Sequence, residues 1–401
     1  MYYTPIVLFS HQYNMRFNTT GFPDVFDAAF NESAWETARA TCGPRAHSSA
    51  VLGYFLDNED SCPPYPEPSG MQLHGALASF FLLPTSSPGH RLALRYRAQH
   101  STGSKAEQAA IRAEFAALVA RQYFQITSAA IRHFDPHHLV LGCKFTNGDG
   151  LAPLIEAGAP FVDAHALDVY AFTPGVHYMR NLYERGGRKP FIIAEFGFQS
   201  RESFVNRSVH LGGAGPLLQT RAQRAAAWSN FVEKLLALEF VVGYHHFQYF
   251  DQPSNPANLR NTNYGMVSVN DTEYSELLEA MRTTNGDAER THAAGAAGQD
   301  CALDQRTNRL QPFRGSILHN STGLCLTAAG ISSSHPVLAV CTSASAFSWE
   351  ELPNGRLRHM TSMRCLDLDR SKSQSSELTL TENCSTDIAY EVPASWEHGA
   401  D

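Results

Sequence analysis

Short apolar runs, each closed by polar residues, recur along the first 250 positions: 6–9, 51–56, 139–145, 162–172, 190–197 and 240–250. Runs of that length read as buried strands. Between them the pattern changes period. Ile111, Phe115, Leu118, Val119, Tyr123, Ile126 and Ala130 recur at helical spacing and predict one long amphipathic helix over 105–133, stopped by Asp135-Pro136. Further helices are predicted at 28–40, 151–157, 217–239 (from Trp228, Phe231, Leu235 and Leu238) and 274–282. Residues 60–103 are rich in Pro, Ser and Gly around an apolar island at 77–83. Strands alternating with helices predict parallel βα units. Five strands are clear and 6–9 is a sixth, whereas a closed (β/α)8 TIM barrel needs eight. Two early strands are therefore missing from this chain or hidden in 10–50; the first alternative is preferred.

Two of these runs end in a carboxylate. Gly53-Tyr54-Phe55-Leu56-Asp57-Asn58-Glu59 passes from apolar to polar within three residues, and Pro190-Phe191-Ile192-Ile193-Ala194-Glu195-Phe196-Gly197 carries one acid near its end. In parallel barrels the carboxyl ends of the strands build the active site. A pair of carboxyl groups there is what glycosidic bond cleavage requires. Asn58, just before Glu59, is placed to hydrogen-bond a sugar 2-hydroxyl, and small neighbours of Glu195 leave room for a ring.

Composition narrows the class. Hydrophobic content of 43% with 17% charged residues describes a globular chain with ample core, and a net charge of −8 gives nucleic-acid binding no electrostatic support. No apolar stretch approaches the ~18 residues of a membrane helix. Cysteines at 42, 62, 143, 301, 325, 341, 365 and 384 contain no Cys-x-x-Cys, which argues against zinc ribbons and thioredoxin-type chemistry. Four of them lie in the tail, spaced as two pairs, in the manner of a disulfide framework. With sequons at Asn18, Asn31, Asn206, Asn270, Asn320 and Asn383, this points to a secreted glycoprotein. The first nine residues have no basic region and no small-residue cleavage site, so they are not a signal peptide. Cys42 and Cys62 flank the strand at 51–56 and are expected to pair; Cys143 is expected to be a free core thiol, with Cys301 left over.

The residues at 22–27, 53–59, 135–142, 190–198, 243–253 and 263–267 together resemble clan A glycoside hydrolases, most of all the β-agarase type with its β-galactosidase-type relatives, over about 20–283. The resemblance implies that Glu59, following Asn58, is the acid/base and Glu195 the nucleophile of a retaining β-glycosidase acting on a galactan-type polysaccharide or oligosaccharide by double displacement. It implies that Tyr170 hydrogen-bonds the nucleophile, and that His245 and His246 stand where relatives carry His-Trp, with His246 in place of the Trp that floors the sugar site. Lys144 stands where relatives often have Arg and so gives up a bidentate fork. Glu59 needs a proton at working pH, and Asp57, Asp60 and Glu195 are expected to supply like-charge repulsion. Adjacent strand residues face opposite ways, so His245 and His246 do not read as a metal pair; no metal and no cofactor are expected.

Periodicity fades over 285–311, where Ala293-Ala294-Gly295-Ala296-Ala297-Gly298 reads as linker. The chain is accordingly divided into a barrel domain at 1–284, a linker at 285–311 and a small all-β domain at 312–401. In that last part Gly323-Leu324-Cys325-Leu326-Thr327 and Met363-Arg364-Cys365-Leu366-Asp367 begin two units of about forty residues. They resemble the ricin-B-type β-trefoil lectin. The resemblance implies disulfides Cys325–Cys341 and Cys365–Cys384 and a sugar-binding Asp367; Thr327 replaces that acid in the first unit, and the usual third unit is absent. A second reading of the whole is a catalytically impaired carbohydrate-binding protein using the cleft and the tail.

Overall fold

The computed structural model describes residues 2–68, 72–99, 103–148, 150–202, 214–218, 220–253 and 262–296, and beyond these the backbone of eight short strands between 314 and 399. Two compact units divide the chain. The first takes Met1–Val169, Arg180–Glu195 and Phe240–His245; the second takes Tyr170–Met179, Phe196–Glu239 and His246–Asp401.

The first unit is built on a six-stranded sheet. Its strands are β1 (Ile6–Val7), β2 (Gly53–Asn58), β3 (Leu139–Thr146), β4 (His165–Asp168) and β5 (Phe191–Phe196), and then, beyond two short strands, β6 (Gln199–Ser200) and β7 (Leu217–Leu218), β8 (Val241–His246). The order across the sheet is β1-β2-β3-β4-β5-β8. The pairs from β1 through β5 are parallel. All six strands coincide with the apolar runs of the sequence. Phe55, Leu141, Ala164, Ala166, Ile192 and Ala194 pack together on one face.

Helices follow the predicted periodicity closely. They are α1 (Phe9–Phe17), α2 (Ala28–Thr41), α3 (Ala76–Phe81), α4 (Pro88–Gln99), α5 (Lys105–Phe134), α6 (Ala152–Gly158) and α7 (Val176–Arg185). α5 begins at a capping box, with Ser104 Oγ accepting from the Glu107 amide and Glu107 from the Ser104 amide, and ends at Asp135 before the proline. Its buried stripe includes Phe115, Val119, Tyr123, Phe124 and Ile131. α1, α3, α4 and α7 were not foreseen; α3 falls in the apolar island at 77–83, and the other three are polar in mean composition with apolar positions too few to stand out.

Three strands depart from regular alternation where they approach the site. Between Tyr54 and Asn58 on β2 the register against β3 shifts twice: Tyr54 pairs with Val140, Leu56 with Cys143 and Asn58 with Lys144. β3 therefore carries one extra residue around Gly142 (φ +75) and β2 one around Asp57 (φ +46). A third shift separates Leu167–Ile193 from Asp168–Glu195, inserting one residue on β5. Each inserted residue turns the following side chain to the opposite face. As a result Asn58, Lys144 and Glu195 join Asp168, which reaches the same face by ordinary alternation from Ala164 and Ala166.

The cysteines correct the expected pairing. Cys62 is bonded to Cys143, with Cα atoms 6.1 Å apart, and Cys42 is a buried free thiol whose pKa burial pushes up to about 12. Cys42 lies by the start of β2 and Cys62 just past its end. A six-residue strand spans about 20 Å, far beyond the reach of a disulfide. Cys143, on the neighbouring strand, is within reach. The bridge ties the turn after Glu59 to the residue before Lys144. Opening it is expected to cost about 2–4 kcal/mol of stability. Denaturant unfolding of the native chain beside Cys62→Ser/Cys143→Ser checks this, and equal midpoints would refute it.

In the second unit α8 (Arg221–Leu236) packs with α9 (Ser275–Gly286) and α10 (Ala288–Ala296). Thr220 and Gln223 cap α8 reciprocally. α10 occupies part of the stretch that reads as linker: alanine favours helix, and Gly295 approaches Ala237 so closely that a Cβ would lie 2.2 Å from its carbonyl oxygen. The tail strands run from Arg314–His319 to Trp396–Gly399 and pair antiparallel. Cys341 and Cys384, and the side chains of Cys325, Cys365 and Asp367, lie outside the described residues.

Candidate active site

Asn58 and Glu59 leave the end of β2 on a sharply turned backbone, with Asp57 at φ +46 and Glu59 at φ +47. Side chains with a Cβ seldom adopt this left-handed region, and where they do a function is often involved. Asp57 anchors the turn. It is fully buried, and its carboxylate accepts from the Ser10 amide at 3.0 Å, Ser10 Oγ at 2.9 Å and Tyr123 OH at 2.7 Å. Burial pushes its pKa up to about 7 against the pull of these donors. Asp57 therefore faces the helices, and Asp60 is exposed, so neither crowds Glu59 in the expected way. The bulge has exchanged the faces of Asp57 and Asn58.

Lys144 stands at the centre of the site, its side chain only 3% exposed. Its Nζ donates to Asn58 Oδ1 at 2.5 Å and to Glu195 Oε1, and lies 3.5 Å from Asp168 Oδ2. An ammonium presents three donors in three directions and suits this arrangement better than a guanidinium, whose donors all lie in one plane. Its contact with Asn58 Oδ1 turns Nδ2 of that amide away from the lysine.

Glu59, Asp168 and Glu195 present carboxylate oxygens that all lie within 4.8 Å of one another. Three acids at that spacing could ligate a hard cation, but the Lys144 ammonium already brings a positive charge among them. Asp168 was not singled out from the sequence. Its side chain is fully buried, and burial, with Glu195 and Glu59 adding repulsion, raises its pKa well above the ordinary carboxylate value although Lys144 opposes this. The signal was present: Ala164, Ala166 and Asp168 alternate along an apolar run, the same cue that marked the two glutamates.

His245 sits on β8 with its ring edge-on to Phe55, 5.8 Å between centroids. Partial burial and the charge of Lys144 lower its pKa, with Glu195 opposing. His246 faces other neighbours in the second unit. Its Nε2 is 2.8 Å from the Tyr264 carbonyl oxygen, and its ring packs edge-on to Phe196 and Trp228. Burial lowers its pKa to about 3, so it is neutral and donates to that carbonyl. A ring packed in this way is committed to the fold of its own unit, unlike a residue presented to a sugar. Tyr170, also in the second unit, stands edge-on to Phe247 and tilted against Tyr264.

Glu59 follows β2 and Glu195 lies near the end of β5, so carboxylates from two non-adjacent strands of one parallel sheet meet at a single site. No protein-family profile matches the chain. β-Agarase B of Vibrio sp. (strain JT0107) is 31% identical over 185 residues, 44% of this chain and 18% of that protein. β-Agarase A of the same strain is 28% identical over 188 residues, 45% of this chain and 17% of that protein. The matched stretch is thus less than a fifth of either relative's length. A solved exo-β-agarase superposes over 67% of this chain and 40% of its own at a TM-score of 0.57 and 24% identity, which shows a shared fold. The chain is distantly related to β-agarases.

Proposed function

We propose that the first unit holds the catalytic site of a retaining β-glycosidase acting on a galactan-type polysaccharide or oligosaccharide, as the related agarases suggest. The observation that carries the reading is the close approach of Glu59 and Glu195 with the Lys144 ammonium on Glu195. Retaining enzymes hold their two carboxyl groups ~5–5.5 Å apart, and inverting enzymes hold them further apart to admit a water. Glu195 attacks the anomeric carbon while Glu59 gives its proton to the leaving oxygen. Glu59 then takes a proton from the water that releases the sugar. The Nδ2 of Asn58, turned from the lysine, donates to the 2-hydroxyl. His245 is proposed to border the sugar. The Cys62–Cys143 bridge supports secretion, since such bonds persist in oxidising compartments. The tail is proposed to be a lectin-like module that binds glycan through Asp367.

The test is hydrolysis of agarose oligosaccharides and aryl β-galactosides by the purified chain, with the first-formed anomer read by proton NMR. The β-anomer is expected to appear first. An α-anomer would overturn the mechanism. A folded chain that binds glycan without cleaving it would favour a carbohydrate-binding role.

A further inference from the structure

The mechanism uses two carboxyl groups and the site holds three. Asp168 is bracketed by its strand neighbours: Thr146 is its partner on β3 and Glu195 its partner on β5. Both of its carboxylate oxygens are sealed from solvent, and among the described residues neither accepts a hydrogen bond shorter than the 3.5 Å contact with Lys144. A substrate hydroxyl cannot reach oxygens that water cannot reach, so Asp168 does not read the sugar. Leaving a charged carboxylate in that state would cost several kcal/mol. The cation beside it is Lys144, at 3.5 Å, and that ammonium is already engaged by Glu195 and Asn58.

We propose that Asp168 is a positioning residue for Glu195 that acts through Lys144: the two carboxyl groups compete for one ammonium, and catalysis proceeds while Glu195 holds it. This inference rests on the glycosidase reading. With Asp168 protonated, Lys144 is left to Glu195 and Asn58, and the group of Glu59, Asp168, Glu195 and Lys144 carries no net charge once Glu59 also has its proton. With Asp168 ionised, the ammonium is drawn off the nucleophile and a second anion faces Glu59. The groups that face Asp168 are Glu59 beyond β2, Lys144 on β3, Glu195 on β5 and the Tyr65 hydroxyl, which is hydrogen-bonded at Thr146. His245 on β8 faces Lys144 and Glu195; burial and the charge of Lys144 disfavour its cation and Glu195 favours it. The elevated pKa of Asp168 agrees with a protonated acid at neutral pH.

Two ionisations on the alkaline side, of Glu59 and of Asp168, steepen the fall of log kcat/KM from a slope of −1 toward −2 as pH rises. Asp168→Asn imitates the protonated acid. At pH 6 it is expected to lower kcat/KM on an agarose oligosaccharide, whose sugar leaving group needs the Glu59 proton, less than tenfold with KM unchanged, and its alkaline limb is expected to keep a slope of −1 throughout. A loss of more than a hundredfold at pH 6 in a variant that melts like wild type would overturn the proposal, because Asp168 would then be needed as an anion. An unchanged steep limb would overturn it as well. Melting temperature against pH is the second readout, and it needs no turnover. A group whose folded pKa is raised gives stability that is complete below its unfolded value and is lost as pH rises toward the folded one. Wild type is therefore expected to lose stability relative to Asp168→Asn as pH rises above the ordinary carboxylate range; parallel curves would sink the assignment. Should neither protein cleave any substrate while their melting curves diverge as described, the glycosidase reading fails and the protonation of Asp168 stands.

Discussion

Replacing Glu195 by Gln is expected to lower kcat by at least about 10⁴-fold, which at ~1.36 kcal/mol per decade is roughly 5.5 kcal/mol of lost transition-state stabilisation. The amide is nearly isosteric, so folding should be kept. It cannot attack the anomeric carbon, and its uncharged oxygen no longer neutralises Lys144. Substrate contacts made elsewhere in the cleft persist, so KM is expected to change little and the loss to fall on kcat. Glu59→Gln serves as the comparison. An aryl leaving group of low basicity departs without protonation, so this variant should still form the glycosyl-enzyme at a measurable rate and then stall at its hydrolysis. A burst of aryl alcohol from Glu59→Gln and none from Glu195→Gln would fix the two roles. A burst from Glu195→Gln would exchange them, and equal residual rates in both would remove the pair from the chemistry.

The second large effect concerns Lys144. Lys144→Met keeps the length of the stem and removes the buried charge that joins Asn58, Asp168 and Glu195. Taking one partner from a buried ionic group costs about 3–5 kcal/mol when the remaining charge cannot escape. Here a proton can relieve part of that cost by neutralising a carboxyl group, and the penalty then appears as lost nucleophile. At neutral pH kcat is expected to fall about 10²–10³-fold, or ~3–4 kcal/mol. Ionisation of Asp168 should move to higher pH still, because Lys144 is the charge that opposes the rise of its pKa. Lys144→Arg should recover only part of the rate, since a planar fork cannot address three acceptors in three directions. Steady-state kinetics across pH with the three proteins decides this. A profile for Lys144→Met parallel to that of wild type would show that the ammonium is structural only.

Much of this site was legible along the chain. A carboxylate that ends an apolar run is a local feature, and Glu59 and Glu195 could be read from it without knowing what lay across the sheet. Asp168 ended such a run as well and was passed over, because a lone acid gains weight only beside its partners. The face each residue takes was a different matter. Asp57 was expected beside Glu59 and instead anchors the turn through Ser10 and Tyr123. His246 was expected under the sugar and is held by the Tyr264 carbonyl and Trp228. Cys143 was expected free and is bonded to Cys62.

By itself the sequence determined the six strands, the long helix over α5 and the position of two glutamates at strand ends, since apolar period and chain punctuation act over neighbouring residues. Only the tertiary structure decided which side chains meet. The inserted residues near Gly142, Asp57 and Ala194 each reverse the faces that follow, and whether a strand carries such an insertion depends on its partner's register, which is set by residues from 26 to 87 positions away.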